Sequence, residues 1–308
     1  MERDQLLETC DIVVSLKPKD EWKKMRPNSV LVGWFNHLGS NLHNPHNVTL
    51  LDLEDITTFV DGRDQKILWE NARVAGECGV HQTLDRLTLM APSSPAISHQ
   101  QLAVVFGYGN LGRGAVLALL KRGIQRIVVF TQRPPTEVQG RLPGVEYRQM
   151  EHHGADTLEV LADGSKRSLM DDLLPQADII VNAKKPSRHL SKWVFVPEDR
   201  FAQLKPGMAF IDPVHIDGNG ANFVHTTSLE EPLKKISRAG RTIWFNGCNA
   251  MPSHDPAYAS SVISQALIRE FDTVMAAVLD RMLLTGALLP SALQSIHFPW
   301  PPQVIANR

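Results

Sequence analysis

Leu102-Ala-Val-Val-Phe-Gly107-Tyr-Gly109-Asn-Leu-Gly112-Arg-Gly-Ala-Val-Leu-Ala-Leu-Leu120 joins an apolar, β-branched run to three spaced glycines and then to a helical pattern. In that order G-x-G-x-x-G reads as a dinucleotide-binding turn, the alternative being an ordinary tight strand-to-helix connection. Gly107 permits the turn, Gly109 lets backbone N–H groups approach a pyrophosphate, and Gly112 lets the helix lie close on the strand. Asn110 and Leu111 open the helix, whose exposed N–H groups face the phosphate charge.

Working outward, further strands are predicted at 126–130, 145–148, 178–182, 208–212 and 242–245, with helical segments linking most of them. Together with 103–106 these make six strands, the number of a doubly wound parallel sheet. Upstream, a helix end at 3–9, strands at 11–16, 29–35 and 49–52, a short helix at 19–25 and a helical pattern from 67 to 84 form a second α/β block. Downstream, apolar residues from Val262 to Met282 recur at helical spacing, and a long helix there is expected to cross back to the opening block. The expected fold is α/β with two Rossmann-like domains. A dinucleotide-binding domain, 91–254, is inserted in a discontinuous substrate domain, 1–90 plus 255–308, with the chemistry in the cleft between them.

Length and composition agree with a two-domain globular protein: 308 residues, 43% apolar and 21% charged. Lysine plus arginine (32) nearly balances aspartate plus glutamate (33), so no global field points to nucleic acid or an anionic membrane. Cys10, Cys78 and Cys248 are far apart and odd in number, as expected of thiols in a reducing compartment. His43, His46, His152 and His153 lack a matching ligand set, and no metal site is expected. No apolar run reaches membrane-spanning length, and Met1-Glu-Arg-Asp-Gln carries no secretory pattern, so a cytoplasmic location is the expectation.

The end of the second nucleotide-domain strand reports on the adenosine ribose. Here Ile127-Val-Val-Phe130 runs into Thr131-Gln132-Arg133, with no acid to accept from two ribose hydroxyls. Arg133 offers a forked contact to a 2′-phosphate, so NADP is the expected cofactor, with NAD tolerated if Arg133 is simply solvated. Asn182-Ala183-Lys184 closes the fourth strand, where ribose contacts fall.

Several segments in order resemble the alanine dehydrogenase and pyridine-nucleotide transhydrogenase superfamily, with a closer likeness to N5-(carboxyethyl)ornithine synthase and a more distant one to lysine-forming saccharopine dehydrogenase. They are Asp11-Ile-Val-Val-Ser-Leu-Lys17-Pro, Leu31-Val-Gly-Trp-Phe-Asn-His37-Leu-Gly-Ser, Asp61-Gly-Arg, Ala75-Gly-Glu-Cys-Gly79, Phe210-Ile-Asp212-Pro-Val-His-Ile-Asp217-Gly-Asn219 and Asn249-Ala-Met251-Pro252. The resemblance implies a catalytic lysine at Lys17, a catalytic histidine at His37 and an acidic loop at Asp217, with His215 as helper. It also implies nicotinamide-side contacts from Asn249 and Met251, and a homo-oligomer. The family's opening Arg-Val-x-Leu-x-Pro segment has no counterpart, so the opening domain reads as shortened and its carboxylate anchor as either absent or supplied by another residue or chain.

The activity so implied is NAD(P)H-dependent reductive condensation of a small 2-oxo acid with an amino-acid amine. A histidine suits the proton transfers near neutral pH, and a desolvated lysine suits polarising a carbonyl. Two alternatives stay open: an amino-acid dehydrogenase using ammonia, and a non-catalytic NADP-binding subunit.

Overall fold

The computed structural model describes residues 2–16, 18–35, 47–53, 56–60, 63–90, 99–153, 156–185, 192–214, 216–248 and 250–284. Its contacts divide the chain into two compact units, residues 1–68 with 264–308 and residues 69–263.

In the smaller unit, helix α1 (Arg3–Thr9) precedes strands β1 (Ile12–Ser15), β2 (Val30–Gly33) and β3 (Thr49–Asp52). These pair in parallel in the order β1-β2-β3, with Val30 opposite both Ile12 and Thr49. β2 is central, and its Val30-Leu31-Val32 run is wholly buried, as expected of a parallel strand covered on both faces. Leu7, Val13, Trp22, Met25 and Phe35 pack around Leu31. The expected short helix at 19–25 contracts to a single 3-10 turn, Glu21–Lys23. Strands β4 (Thr57–Val60) and β5 (Arg63–Lys66) form an antiparallel hairpin.

The larger unit opens with α2 (Trp69–Met90), followed by β6 (Leu102–Phe106), α3 (Asn110–Lys121), β7 (Arg126–Thr131), β8 (Val145–His153), β9 (Asp156–Val160) and β10 (Lys166–Ser168). Then come β11 (Ile179–Asn182), β12 (Val194–Val196), β13 (Ala209–Ile211), β14 (Gly220–Ala221), β15 (Lys234–Arg238), β16 (Arg241–Asn246) and α4 (Pro256–Arg269). Nine of these strands form one sheet, in the order β10-β9-β8-β7-β6-β11-β13-β16-β15. The inner six are parallel and contain the six predicted strands, taken in the order third, second, first, fourth, fifth, sixth. That is the doubly wound dinucleotide order, with its switch point between β6 and β11. Antiparallel β9, β10 and β15 extend its two edges.

The period of two along each inner strand divides the core into two layers. Leu102, Val104, Phe106, Val128, Phe130, Ile180, Phe210 and Phe245 face one side. Ala103, Val105, Ile127, Val129, Ile179, Val181, Ala209 and Ile211 face the other, together with residues of α2, α3 and α4. The first layer corrects a sequence expectation. Among the described residues only α3 is an α-helix between consecutive inner strands; what is described of the other connections is 3-10 turns and short strands. Their prolines and glycines, among them Pro134, Pro135, Pro175, Pro197, Pro206 and Pro232, deny a helix the length it needs to be stable. Aromatic mass covers that face instead: Phe195 stacks on Phe106 at 3.8 Å between centroids, and Trp193, Phe201 and Phe223 surround them.

On the other face α2 and α3 cross at very short range. A Cβ on Gly76 would stand 2.8 Å from the Ala115 nitrogen, and one on Gly114 2.8 Å from the Arg73 carbonyl carbon. Two glycines let these backbones touch, which seats α2 on the larger unit. The continuous helix expected after β16 is two helices: α4 ends at Arg269, and α5 (Phe271–Leu284) follows after Glu270. Apolar periodicity runs through the break, and the flanking hydrogen bonds Glu270 N to Ala266 O and Val274 N to Glu270 O survive it, so spacing alone does not reveal it. α5 packs on β2 and β3, with Val274 and Val278 buried.

Candidate functional site

The carboxyl edge of the inner strands is tied down by one repeated local device. Thr131 Oγ1 accepts from Arg133 N at 2.9 Å, Asn182 Oδ1 from Lys184 N at 3.1 Å, Asp212 Oδ1 from Val214 N at 3.0 Å and Asn246 Oδ1 from Cys248 N at 3.1 Å. A short polar side chain ending an apolar run thus turns the chain within two residues at β7, β11, β13 and β16. These residues are buried and cross-linked. Asn182 Nδ2 donates to Asp212 Oδ1 at 3.0 Å, and Asn246 Nδ2 donates to Gln82 Oε1 and Thr83 Oγ1 on α2. Asn219, buried in the loop after β13, donates to the Lys184 carbonyl and accepts from Trp193 N. Satisfied networks of this kind hold strand ends rigidly, because each broken member would leave an unpaired buried polar atom.

The turn after β6 is built differently, and each glycine meets a distinct surrounding. Gly107, at φ +96°, lies where a Cβ would stand 2.8 Å from the Ala183 carbonyl oxygen. At Gly112 a Cβ would collide with the Gly107 carbonyl and touch the Ala183 side chain at 3.4 Å. Around Gly109 nothing lies within 4 Å of a Cβ position, so this backbone faces open space. Gly109 is also the N-cap of α3, which has no side-chain cap and no acidic residue in its first turn. The first N–H groups of α3, from Asn110, Leu111 and Gly112, are therefore left without a side-chain acceptor. Tyr108 is buried; its hydroxyl donates to Gly140 O at 2.8 Å, and its ring lies under the Arg113 guanidinium. That contact folds the 132–144 loop beside the turn and occupies Arg113, which also donates to Gln139 O.

The sequence-predicted residues divide into three groups. Gly107, Gly109, Asn110, Leu111, Gly112, Thr131, Gln132, Arg133, Ala183 and Lys184 are brought together at the switch point, on the ends of β6, β7 and β11 and the start of α3. Arg133 is exposed, and among the described residues its guanidinium makes no hydrogen bond or ion pair. Lys184 is half-buried; its Nζ donates to Gln132 Oε1 and stands 4.9 Å from the Trp193 ring centroid. Burial holds this ammonium below the ordinary lysine pKa.

Asp217 and Met251 lie on other elements, the loop beyond β13 and the 3-10 turn after β16. Asp217 lies exposed in the loop beyond β13. Its Oδ1 accepts from Thr226 N at 2.8 Å, its carbonyl accepts from Lys192 Nζ, and its Oδ2 is 3.9 Å from His225 Nδ1. The Met251 side chain is in the core, against Gly79 of α2, so any contact it makes with a ligand comes from its backbone. Lys17, His37, His215 and Asn249 lie outside the described residues.

Sequence patterns do not single out Trp193 and Tyr108 as supports, nor Asp212 and Asn246 as the residues that close their strands. For the last two a signal is nevertheless present: a single Asp or Asn ending each apolar run. A cavity of about 380 Å³ at the amino edge of the sheet is lined by Leu102, Arg126, Asp178 and Lys205. Lys205 there is paired with Asp178, and Arg126 donates to Gln100 O. Among the described residues no group of three or more His, Cys, Asp or Glu side chains is placed to hold a metal ion, and no helix is long and apolar enough to cross a membrane.

No protein-family model matches the chain, and no curated protein matches it in sequence. Solved structures do match. An L-alanine dehydrogenase superposes with a TM-score of 0.64 at 16% identity, over 93% of this chain and 77% of that one. A transhydrogenase from Sinorhizobium meliloti superposes with a TM-score of 0.63 at 17% identity, over 88% of this chain and 76% of that one. At such identities the likeness establishes a common fold: mixed α/β, with a large parallel-rich sheet of Rossmann type.

Proposed function

We propose that this protein is an NAD(P)H-dependent oxidoreductase of the alanine dehydrogenase and transhydrogenase kind, acting on a carbon–nitrogen bond. In the finer form of the reading it uses NADPH to reduce the imine formed between a small 2-oxo acid and an amino-acid amine. The observation that carries the proposal is the turn at 107–112. It sits at the switch point of a doubly wound sheet, open at Gly109 and with no side-chain cap on the α3 amino end. A pyrophosphate fits those donors, since it brings the acceptors the helix start lacks. The solved L-alanine dehydrogenase and transhydrogenase add support, because both names describe pyridine-nucleotide chemistry on this fold.

A reduced nicotinamide dinucleotide, when bound, supplies the two electrons and the hydrogen that the imine carbon receives. The chain's own residues bind, orient and manage protons. The N–H groups of Asn110, Leu111 and Gly112 would hold the pyrophosphate, at a turn that packs against Ala183. Arg133, exposed and unengaged next to the Thr131 turn, takes the 2′-phosphate, which favours NADPH over NADH. Asn249 and the backbone at Met251 serve the nicotinamide end. Lys17 polarises the carbonyl oxygen during condensation, and His37 carries the protons that leave with water and return to the amine nitrogen. The acidic role falls to Asp217, whose carboxylate is held in its loop by Thr226 N. Oligomerisation and a cytoplasmic location belong to the same proposal and rest on the resemblance.

A second reading, reductive amination with ammonia, is favoured by the likeness to L-alanine dehydrogenase. One experiment separates the two: oxidation of NADPH and NADH with pyruvate, glyoxylate or 2-oxoglutarate, each against a panel of amino acids and ammonium. Turnover only with an amino acid supports condensation, and turnover with ammonium alone supports the dehydrogenase. Tight NADPH binding with no turnover in any combination refutes both and leaves a binding subunit. Lys17→Ala and His37→Ala must abolish turnover while leaving NADPH affinity within about threefold.

A further inference from the structure

Lys184 and Gln132 stand 52 residues apart in sequence and close the mouth of the switch point between them. Lys184 follows β11 and Gln132 follows β7, the two neighbours of β6. Their side-chain contact therefore spans two strand spacings, about 9.5 Å, and runs across the end of β6, where the Gly107 turn begins. The anchoring is asymmetric. The Lys184 backbone is pinned on both sides, N to Asn182 Oδ1 and O to Asn219 Nδ2. Among the described residues its ammonium is held only by a neutral amide oxygen and the Trp193 ring face. Among the described residues no carboxylate lies within ion-pair distance of it. A half-buried ammonium whose backbone lies beside the Gly107 turn, and whose only hydrogen-bond partner among the described residues is a neutral acceptor, has an unmet demand for negative charge.

We propose that the Lys184–Gln132 contact is an exchangeable strap across the dinucleotide crevice, and that a diphosphate displaces Gln132 as the partner of the Lys184 ammonium. The inference rests on the dinucleotide reading above and deepens it by assigning Lys184 to the diphosphate and not to the ribose. The ligand chemistry is that of a nucleoside diphosphate group. A charged acceptor replaces an amide oxygen, so a charge-assisted hydrogen bond replaces a neutral one. Gln132 competes with the ligand, and its loss favours binding. A residue that merely shaped the pocket would not give that opposite sign.

The test is equilibrium binding of NADPH, ADP-ribose and AMP to the full chain and to Lys184→Gln, Lys184→Met and Gln132→Ala. Each protein is checked by its melting temperature, and the salt dependence of binding is recorded. Both Lys184 variants are expected to lose about 10- to 100-fold in affinity for NADPH and ADP-ribose, the worth of one charge-assisted hydrogen bond. AMP, which lacks the diphosphate, changes less than threefold. Gln132→Ala tightens ADP-ribose by about two- to tenfold, the release of one neutral hydrogen bond. In Lys184→Gln the affinity for ADP-ribose also becomes less sensitive to salt. Affinity for ADP-ribose within twofold of wild type in a folded Lys184 variant overturns the strap. So does a loss in Gln132→Ala equal to that in Lys184→Met, which would make Gln132 itself a ligand contact. Wild-type protein that binds neither NADPH nor ADP-ribose overturns the dinucleotide reading itself, and the strap with it.

Discussion

Alanine in place of Gly109 and of Gly112 asks opposite things of the same turn. At Gly109 the backbone has φ −82° and ψ −167°, which any residue adopts, and the Cβ position is empty. The unfolded chain loses freedom, a gain of about 0.4–1 kcal/mol, while alanine is a poorer N-cap than glycine by a similar amount. The two offset one another. For a unit of this size 1 kcal/mol moves the melting temperature by about 2–4 °C, so Gly109→Ala must melt within roughly 3 °C of wild type. Its methyl nevertheless projects into the open space beside the α3 amino end. Losing a hydrogen bond or two to a charged group, about 1.5–3 kcal/mol each, lowers NADPH affinity at least tenfold. At Gly112 the methyl falls well inside the 3.0 Å that real Cβ atoms respect, against the Gly107 carbonyl. Overpacking there costs about 1–3 kcal/mol, a melting loss of roughly 2–12 °C, as the turn is forced open. Differential scanning fluorimetry and NADPH titration read both effects. A Gly109→Ala protein that binds NADPH like wild type, or a Gly112→Ala protein that melts like wild type, refutes the geometry on which the proposed function stands.

Two more outcomes concern the larger unit. Gly76→Ala and Gly114→Ala each push α2 off α3 and destabilise by about 1–3 kcal/mol, and the double variant costs less than the sum, since one methyl already parts the helices; strictly additive unfolding energies in a denaturant titration would contradict a shared contact. His81, held below its ordinary pKa first by burial and then by the Arg122 guanidinium that donates to its Nδ1, must stay neutral in the fold, so its contribution is whole above about pH 6.5 and is lost as pH falls through its lowered value. His81→Gln should flatten the fall in melting temperature between about pH 6.5 and 5, and an unchanged slope would assign that fall to other groups.

Much of the larger unit is legible in the sequence because its determinants are local. β6, its glycine turn and α3 lie in one uninterrupted stretch, and each inner strand is a compact apolar run. Among the strands that escape such a reading are β9, β10 and β15, whose sequences, Asp156–Val160, Lys166–Ser168 and Lys234–Arg238, are largely polar. They are strands because a neighbour offers a ladder, and Glu159 is buried there only because Arg148 and Arg167 meet its two carboxylate oxygens. Pairing of that sort leaves no periodic trace. The same holds for the crevice. Sequence places Lys184 at a strand end, whereas its reach to Gln132 and its seat on Trp193 depend on the order of three strands in space. Linking helices are expected from the habit of the fold, and the prolines of this chain override it.

The four polar residues that close β7, β11, β13 and β16 each finish their task within a tripeptide. Each closure is made by residues adjacent in sequence and does not draw on the loop beyond it. A change in the outer part of such a loop leaves the closure itself as it was. The carboxyl edge thus behaves as a row of sockets with interchangeable fittings, while the glycine segment after β6, whose backbone touches Ala183, tolerates no such exchange.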